Sequence, residues 1–185
     1  MDEHIILGVD PGTLIMGYAL LKANPVKSEL ITLDVLNLKK LPDQSTKLKT
    51  IFEFVMELID QYHPNILAIE EPFLGKSAQS MLKLGRAQGV VMAECIHNGL
   101  EINEYSPRKI KQSVTGNGNA AKEQVSAMLQ RMYPLPNDLK YLDATDALAV
   151  AVCHHLQNRV QLGPNQHFSG WESFLSKNAD RSIKK

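Results

Sequence analysis

The chain has 185 residues, 44% of them hydrophobic, with 20 Lys and Arg set against 20 Asp and Glu. That size suits one soluble globular domain with a proper core and leaves no room for two of average size. No apolar run approaches the ~20 residues of a membrane span and the N-terminus lacks a basic-then-apolar leader, so neither a membrane protein nor an exported one is expected and a cytoplasmic setting is. Cys95 and Cys153 fall inside apolar helical patterns and read as buried, reduced thiols rather than as a disulfide or a metal site. The zero net charge hides an uneven distribution. Residues 1–74 carry 11 acidic and 6 basic side chains, residues 75–122 carry 3 and 7, and residues 123–185 carry 6 and 7. The middle third is a candidate phosphate-facing surface, although an ordinary solvated face has the same composition.

Residues 4–10 (HIILGVD) read as a buried strand, closed by a Pro-Gly-Thr turn. Residues 15–23 and 28–38 read as two more strands joined through Asn24-Pro25, which makes an antiparallel meander. Asp43 is placed to cap a helix over about 44–62, with Leu48, Ile51, Phe52, Val55, Leu58 and Ile59 on one face and Pro64 helping to stop it. The short apolar run Ile66–Ile69 fits a central parallel strand. Ser77 can cap a helix to about 98, ended by Asn98-Gly99. Its stripe of Met81, Leu84, Gln88, Val91, Met92 and Cys95 fits packing inside the domain or between two copies. Residues 101–105 make a fifth strand. Ser106-Pro107 is a helix start, Gly116–Asn119 a loop, and Asn119 a cap for a helix over about 120–132. After a break at 133–137 the last helix covers about 141–159. This order predicts an α/β fold of the ribonuclease H-like type: a five-stranded mixed sheet, three antiparallel strands and then two parallel, flanked by helices. The domain is expected to span 1–159, with 160–185 as a loosely held C-terminal extension.

Four acids stand out on this frame. Asp10 ends the first strand, Glu70 ends the fourth, and Asp143 and Asp146 lie one turn apart on the last helix, where side chains three apart share a face. Carboxylates at the ends of apolar segments repel one another and resist desolvation, and a divalent cation removes that cost. Hard cations take carboxylate oxygens, and two of them about 4 Å apart can drive in-line attack on a phosphodiester. Each acid has a plainer reading. Asp-Pro-Gly is ordinary turn chemistry, and Asp143 and Asp146 could simply complement a helix dipole. Adjacent strand residues face opposite ways, so only one of Glu70 and Glu71 can join Asp10; Glu70, which ends the apolar run directly, is the choice.

Lys111 and Lys122 flank the Gly116–Asn119 loop, and Lys122 falls in the first turn of a helix, where free N–H groups favour phosphate. Arg108 and Lys109 add charge nearby. Phe73, followed by the Gly75-Lys76-Ser77 loop, could stack on an unpaired base or fill the core. His154 and His155, late in the last helix, read as surface residues rather than ligands.

The segments IILGVDPGT, GYALL, LAIEEPFLGKSAQSMLKLGRAQGVVMAE, EYSPRKIKQSVTGNGNAAKEQV and DATDALAVAVCH closely resemble, in colinear order over about residues 4–156, the bacterial crossover junction endodeoxyribonucleases of the RuvC family. The resemblance implies a homodimer that binds four-way (Holliday) junction DNA and nicks two strands of like polarity symmetrically. It implies Mg²⁺, two ions per subunit with Mn²⁺ able to substitute, held by Asp10, Glu70, Asp143 and Asp146. It implies Phe73 as the loop aromatic, Lys111 and Lys122 as phosphate contacts, a dimer contact through the helix at about 78–97, and the branch-migration proteins RuvA and RuvB as partners. Lys76 in the loop after Phe73 and Arg108 beside Lys111 are, by their charge, further candidate DNA contacts. Two rivals remain at this stage. GVDPGT also resembles the first phosphate loop of actin-like ATPases, which duplicate the domain and need about twice this length. A non-catalytic junction-binding protein would be expected to lose or scramble the acids, and all four are here.

Overall fold

The apolar runs of the first, second and fourth strands are nearly unbroken, and that part of the sheet is buried on both faces. The computed structural model describes residues 3–72, 77–135 and 142–161, with side chains through residue 158. In chain order these form β1 (His4–Asp10), β2 (Ile15–Ala23), β3 (Ser28–Asn37), α1 (Gln44–Tyr62), β4 (Ile66–Glu70), α2 (Ala78–His97), β5 (Glu101–Tyr105), α3 (Pro107–Thr115), α4 (Lys122–Met132) and α5 (Leu142–Gln161). The strands join in the order β3-β2-β1-β4-β5. β1, β2 and β3 pair antiparallel, and β4 then runs parallel to both β1 and β5. This is the mixed sheet predicted from the element order.

The two-residue period of a strand divides the core. On one face Leu7, Val9, Leu20, Leu67 and Ile69 pack with Ile51, Val55 and Leu58 of α1 and Ala87, Val91 and Cys95 of α2. On the other, Ile6, Ala19, Leu21, Ile66 and Ala68 meet α5, with Ile110 and Val114 of α3 and Val125 and Leu129 of α4 behind it. Helix α5 is therefore a central helix, packed between the sheet and a second helical layer. Its closeness to the sheet depends on two glycines. A Cβ on Gly8 would stand 2.3 Å from the carbonyl oxygen of Ala147, and one on Gly17 would stand 2.0 Å from that of Asp143. Neither distance can be accommodated without moving backbone, so any larger residue would push α5 off the sheet.

Several local expectations hold in atomic detail. Asp43 Oδ1 accepts from the Thr46 N–H at 2.8 Å and caps α1, which ends on His63 in the left-handed region at φ 49°. Ser77 Oγ accepts from the Ser80 N–H and opens α2. Cys95 and Cys153 are buried free thiols. Ser106 is the N-cap of α3 with Pro107 opening the helix, as expected, though without a side-chain capping bond. Two readings need correction. Asn119 does not cap α4. Its own N–H is tied to Asn117 Oδ1, and the cap falls at Ala121, whose N–H donates to Gln124 Oε1. Phe52, placed on the buried face of α1, is 43% exposed. The stripe that packs is the narrower Ile51, Val55, Leu58, Ile59.

The largest correction concerns His154 and His155, read as surface residues and in fact only 2% and 5% exposed. A surface helix would have turned a polar His-His pair outward, but α5 has no wet side at this level. His154 Nδ1 bonds the Tyr105 hydroxyl at 2.9 Å, and the Asn158 amide donates to Nε2 at 2.8 Å. The ring proton therefore sits on Nδ1, facing the tyrosine oxygen. Burial lowers the pKa of this imidazole and keeps it neutral. Among the described residues, no helix is long and apolar enough to cross a membrane.

Candidate active site

Strand parity fixes the first two acids. On β1 the even positions Ile6 and Gly8 face α5, and Asp10 continues that series. On β4 the series is Ile66, Ala68, Glu70. The parallel register sets Gly8 beside Ala68 and Val9 beside Ile69. Asp10 and Glu70 thus leave adjacent strand ends on the same side of the sheet. Glu71 lies beyond the strand, with its N–H bonded to the Tyr105 carbonyl, and Glu70 is the one that faces the site. Helix α5 supplies the rest. Asp10 pairs across the strands with Gly17, the residue on which the Asp143 backbone rests, so the first turns of α5 are pressed against the end of β1.

Asp10, Glu70 and Asp146 line one open cleft of about 390 Å³, together with Lys111, Lys122, Pro107, Ile110, Val125 and Ala149. Asp143 is not among the lining residues, but its charge is felt at both Asp10 and Lys122. The walls are helical: α3 brings Lys111, the start of α4 brings Lys122, and Ile110, Val125 and Ala149 make the apolar floor. Arg108 does not line the cleft. Its side chain lies along the loop between α3 and α4, where a Cβ on Gly118 would meet Arg108 Cγ at 2.7 Å. Phe73 and Lys76 lie outside the described residues.

The electrostatics are those of a site short of positive charge. Burial, then the charges of Glu70 and Asp146, raise the Asp10 pKa from its ordinary 3.8 to about 8, and Lys122 only partly offsets them. Glu70 is raised too, by burial and then by Asp146, against the pull of Lys122 and Lys111. Lys122 Nζ makes a very short ion pair with Asp146 Oδ2. Burial disfavours its ammonium, but the bond to Asp146 and the charges of Asp146, Asp10 and Asp143 outweigh that and raise its pKa. The spacing of 24 residues between Lys122 and Asp146 gave no sign of this contact in the sequence.

Among the described residues, no group of three or more His, Cys, Asp or Glu side chains stands ready to hold a metal ion. The donor chemistry nevertheless fits a hard divalent cation. All the acidic groups at the cleft are carboxylates, and two of them, Asp10 and Glu70, hold protons more tightly than they would in water because they are buried and then because the neighbouring acids repel their charge.

The chain matches the family described as "Crossover junction endodeoxyribonuclease RuvC" over residues 6–154. It belongs to the RuvC family. Among the curated members, the crossover junction endodeoxyribonuclease RuvC of Christiangramia forsetii is 51% identical over 178 residues, covering 96% of this chain and 92% of the relative. Among solved structures, RuvC of T. thermophilus in complex with a Holliday junction substrate superposes with a TM-score of 0.79 at 26% identity, covering 85% of this chain and 96% of that one. The yeast mitochondrial Holliday junction resolvase Ydc2 aligns with a TM-score of 0.62 at 14% identity, a likeness of fold alone, over 84% of this chain and 81% of that one. Membership of the RuvC family confirms the ribonuclease H-like assignment and sets aside the actin-like ATPase reading.

Proposed function

We propose that this chain is a metal-dependent endonuclease that resolves four-way DNA junctions by symmetric nicking of two strands of like polarity. The observation that carries this reading is the convergence of Asp10, Glu70 and Asp146, from three distant stretches of chain, on one cleft that also holds Lys111 and Lys122. Asp10, Glu70 and Asp146, with Asp143 beside them, would hold the divalent ions, two Mg²⁺ or Mn²⁺ per subunit. Bound there, such ions would lower the pKa of the attacking water and stabilise charge on the attacking and departing oxygens.

The chain's own groups do the rest. Lys111 and Lys122 bind the phosphates, the apolar floor of Ile110, Val125 and Ala149 limits water around the reacting bond, and α5 fixes the acids against the sheet. Water adds to phosphorus, the bond to the 3′ oxygen breaks, and the products are a 3′ hydroxyl and a 5′ phosphate, ends a ligase can seal. Phe73 would stack at the junction centre, with Lys76 and Arg108 on flanking backbone. The nuclease domain would span residues 1–159, with α5 running on to residue 161. A second copy docking through α2 makes a two-fold dimer that suits a two-fold junction, and the branch-migration proteins RuvA and RuvB are the expected partners.

A labelled synthetic four-way junction tests this on a gel. With Mg²⁺ the protein should release paired nicked products, and with chelator it should retard the junction without cutting it. Retardation without cutting in saturating Mg²⁺ would leave a junction-binding protein and overturn the nuclease reading.

A further inference from the structure

Of the two lysines lining the cleft, Lys122 alone reaches ion-pair distance of a carboxylate among the described residues. The pair is lopsided. The Asp146 side chain is 15% exposed and that of Lys122 58%, so the acid is fixed and enclosed while the cation reaches in from solvent. The backbone under Lys122 is held firmly. The Ala120 N–H donates to the Asn117 carbonyl, the Ala121 N–H donates to Gln124 Oε1, and Val125 and Leu129 anchor α4 in the core. Only the four-carbon stem is free to swing, with its ammonium facing four acids, Asp146 in contact and Asp10, Asp143 and Glu70 within electrostatic reach.

We infer that Lys122 is the resident counter-cation of this acid cluster: its ammonium and a divalent ion compete for Asp146, so that loading the ion and freeing Lys122 are one exchange. This rests on the nuclease reading above and deepens it. The freed ammonium is then available to the phosphate at the mouth of the same cleft. Lys122 thereby ties ion loading to DNA binding, and without DNA the first ion binds weakly. A compact, strongly hydrated ammonium on a flexible stem is suited to such an exchange, whereas a guanidinium fork would hold the carboxylate at two points.

The test is Mn²⁺ titration of the full-length, DNA-free protein by calorimetry and by the electron paramagnetic resonance signal of free Mn²⁺. Lys122→Met keeps the stem and removes the charge. It should bind Mn²⁺ about tenfold more tightly than the wild type, the scale expected for removing one contacting cation at a part-buried site. Lys111→Met, which removes a charge from the same cleft without an ion-pair contact, should change affinity less than about twofold. Unchanged or weaker Mn²⁺ binding by Lys122→Met overturns the inference. An equal gain in both variants also overturns it, because that is general electrostatics rather than competition for Asp146. If wild type and Lys122→Met both lack saturable Mn²⁺ binding that Asp10→Asn weakens, the nuclease site itself is misassigned, a result distinct from failure of the exchange alone.

Discussion

Helix α5 carries two buried polar clusters, one toward each end, and they differ in the way that separates a working site from a structural one. Toward its C-terminus, Tyr105, His154 and Asn158 form a neutral string in which both ring nitrogens of His154 have partners, with Cys153 and Gln157 sharing the Ser113 hydroxyl nearby. Toward its N-terminus, Asp143 and Asp146 meet Asp10 and Glu70 with one contacting cation between them. A satisfied neutral network adds rigidity and leaves no demand for a ligand. A set of carboxylates under-supplied with positive charge is costly in the folded state and becomes favourable only when a cation arrives. The same helix thus anchors the domain at one end and holds the proposed metal ligands at the other.

The largest effect that would break this contrast is expected at Asp10. Asp10→Asn removes a charge and a ligand oxygen but no volume. Junction cutting should fall by roughly a thousandfold or more, with junction retardation on a gel retained because the proposed phosphate contacts, Lys111 and Lys122, are untouched. Next in size is the packing that positions α5. Gly8→Ala drives a methyl into the Ala147 carbonyl and should cost roughly 3 kcal/mol in urea unfolding, with cutting impaired because the acids shift. At the quiet end of α5, His154→Phe leaves the Tyr105 hydroxyl and Asn158 amide without their partner. It should cost about 2 kcal/mol, while kcat for junction cutting stays at the wild-type value.

A separate effect, read as a slope rather than a single value, is expected in the pH dependence of stability. Asp10 is raised from 3.8 to about 8 in the fold, so between those values the unfolded chain has lost a proton that the folded chain keeps. The stability this proton gives is complete below about 4, falls as pH rises, and is gone above about 8. Thermal melts of the metal-free protein should therefore show a declining Tm across that window. Asp10→Asn should flatten the decline, and Mg²⁺ should reduce it in the wild type alone. His154→Phe should leave the slope as it is.

How legible this was in the sequence depended on the range of the interaction. Strands and most helix ends follow from neighbours, and Asp43 and Ser77 cap where their spacing says they should. Glu70 over Glu71 follows from strand parity, a local rule. The failures are tertiary. His154 and His155 look like surface residues until α5 is known to be enclosed by the sheet and by α3 and α4. Phe52 fits the helical stripe of α1 but falls at its edge, because the stripe that packs is narrower than the one that is apolar. Gly8 and Gly17 read as ordinary strand residues, and their purpose is visible only against the α5 backbone. The Lys122–Asp146 pair joins two helices whose approach no spacing rule encodes.

The central claim is electrostatic: Asp10, Glu70 and Asp146 share one cleft, where burial and then the charges of its neighbours keep Asp10 from ionising at its ordinary pH. The direct measurement is a titration of the Asp10 side-chain carboxyl carbon by ¹³C NMR in metal-free protein, repeated with saturating Mg²⁺. A midpoint near 8 without the ion, moving down by several pH units with it, is the predicted result. A midpoint near the ordinary 3.8 in the metal-free protein, indifferent to Mg²⁺, would contradict the account.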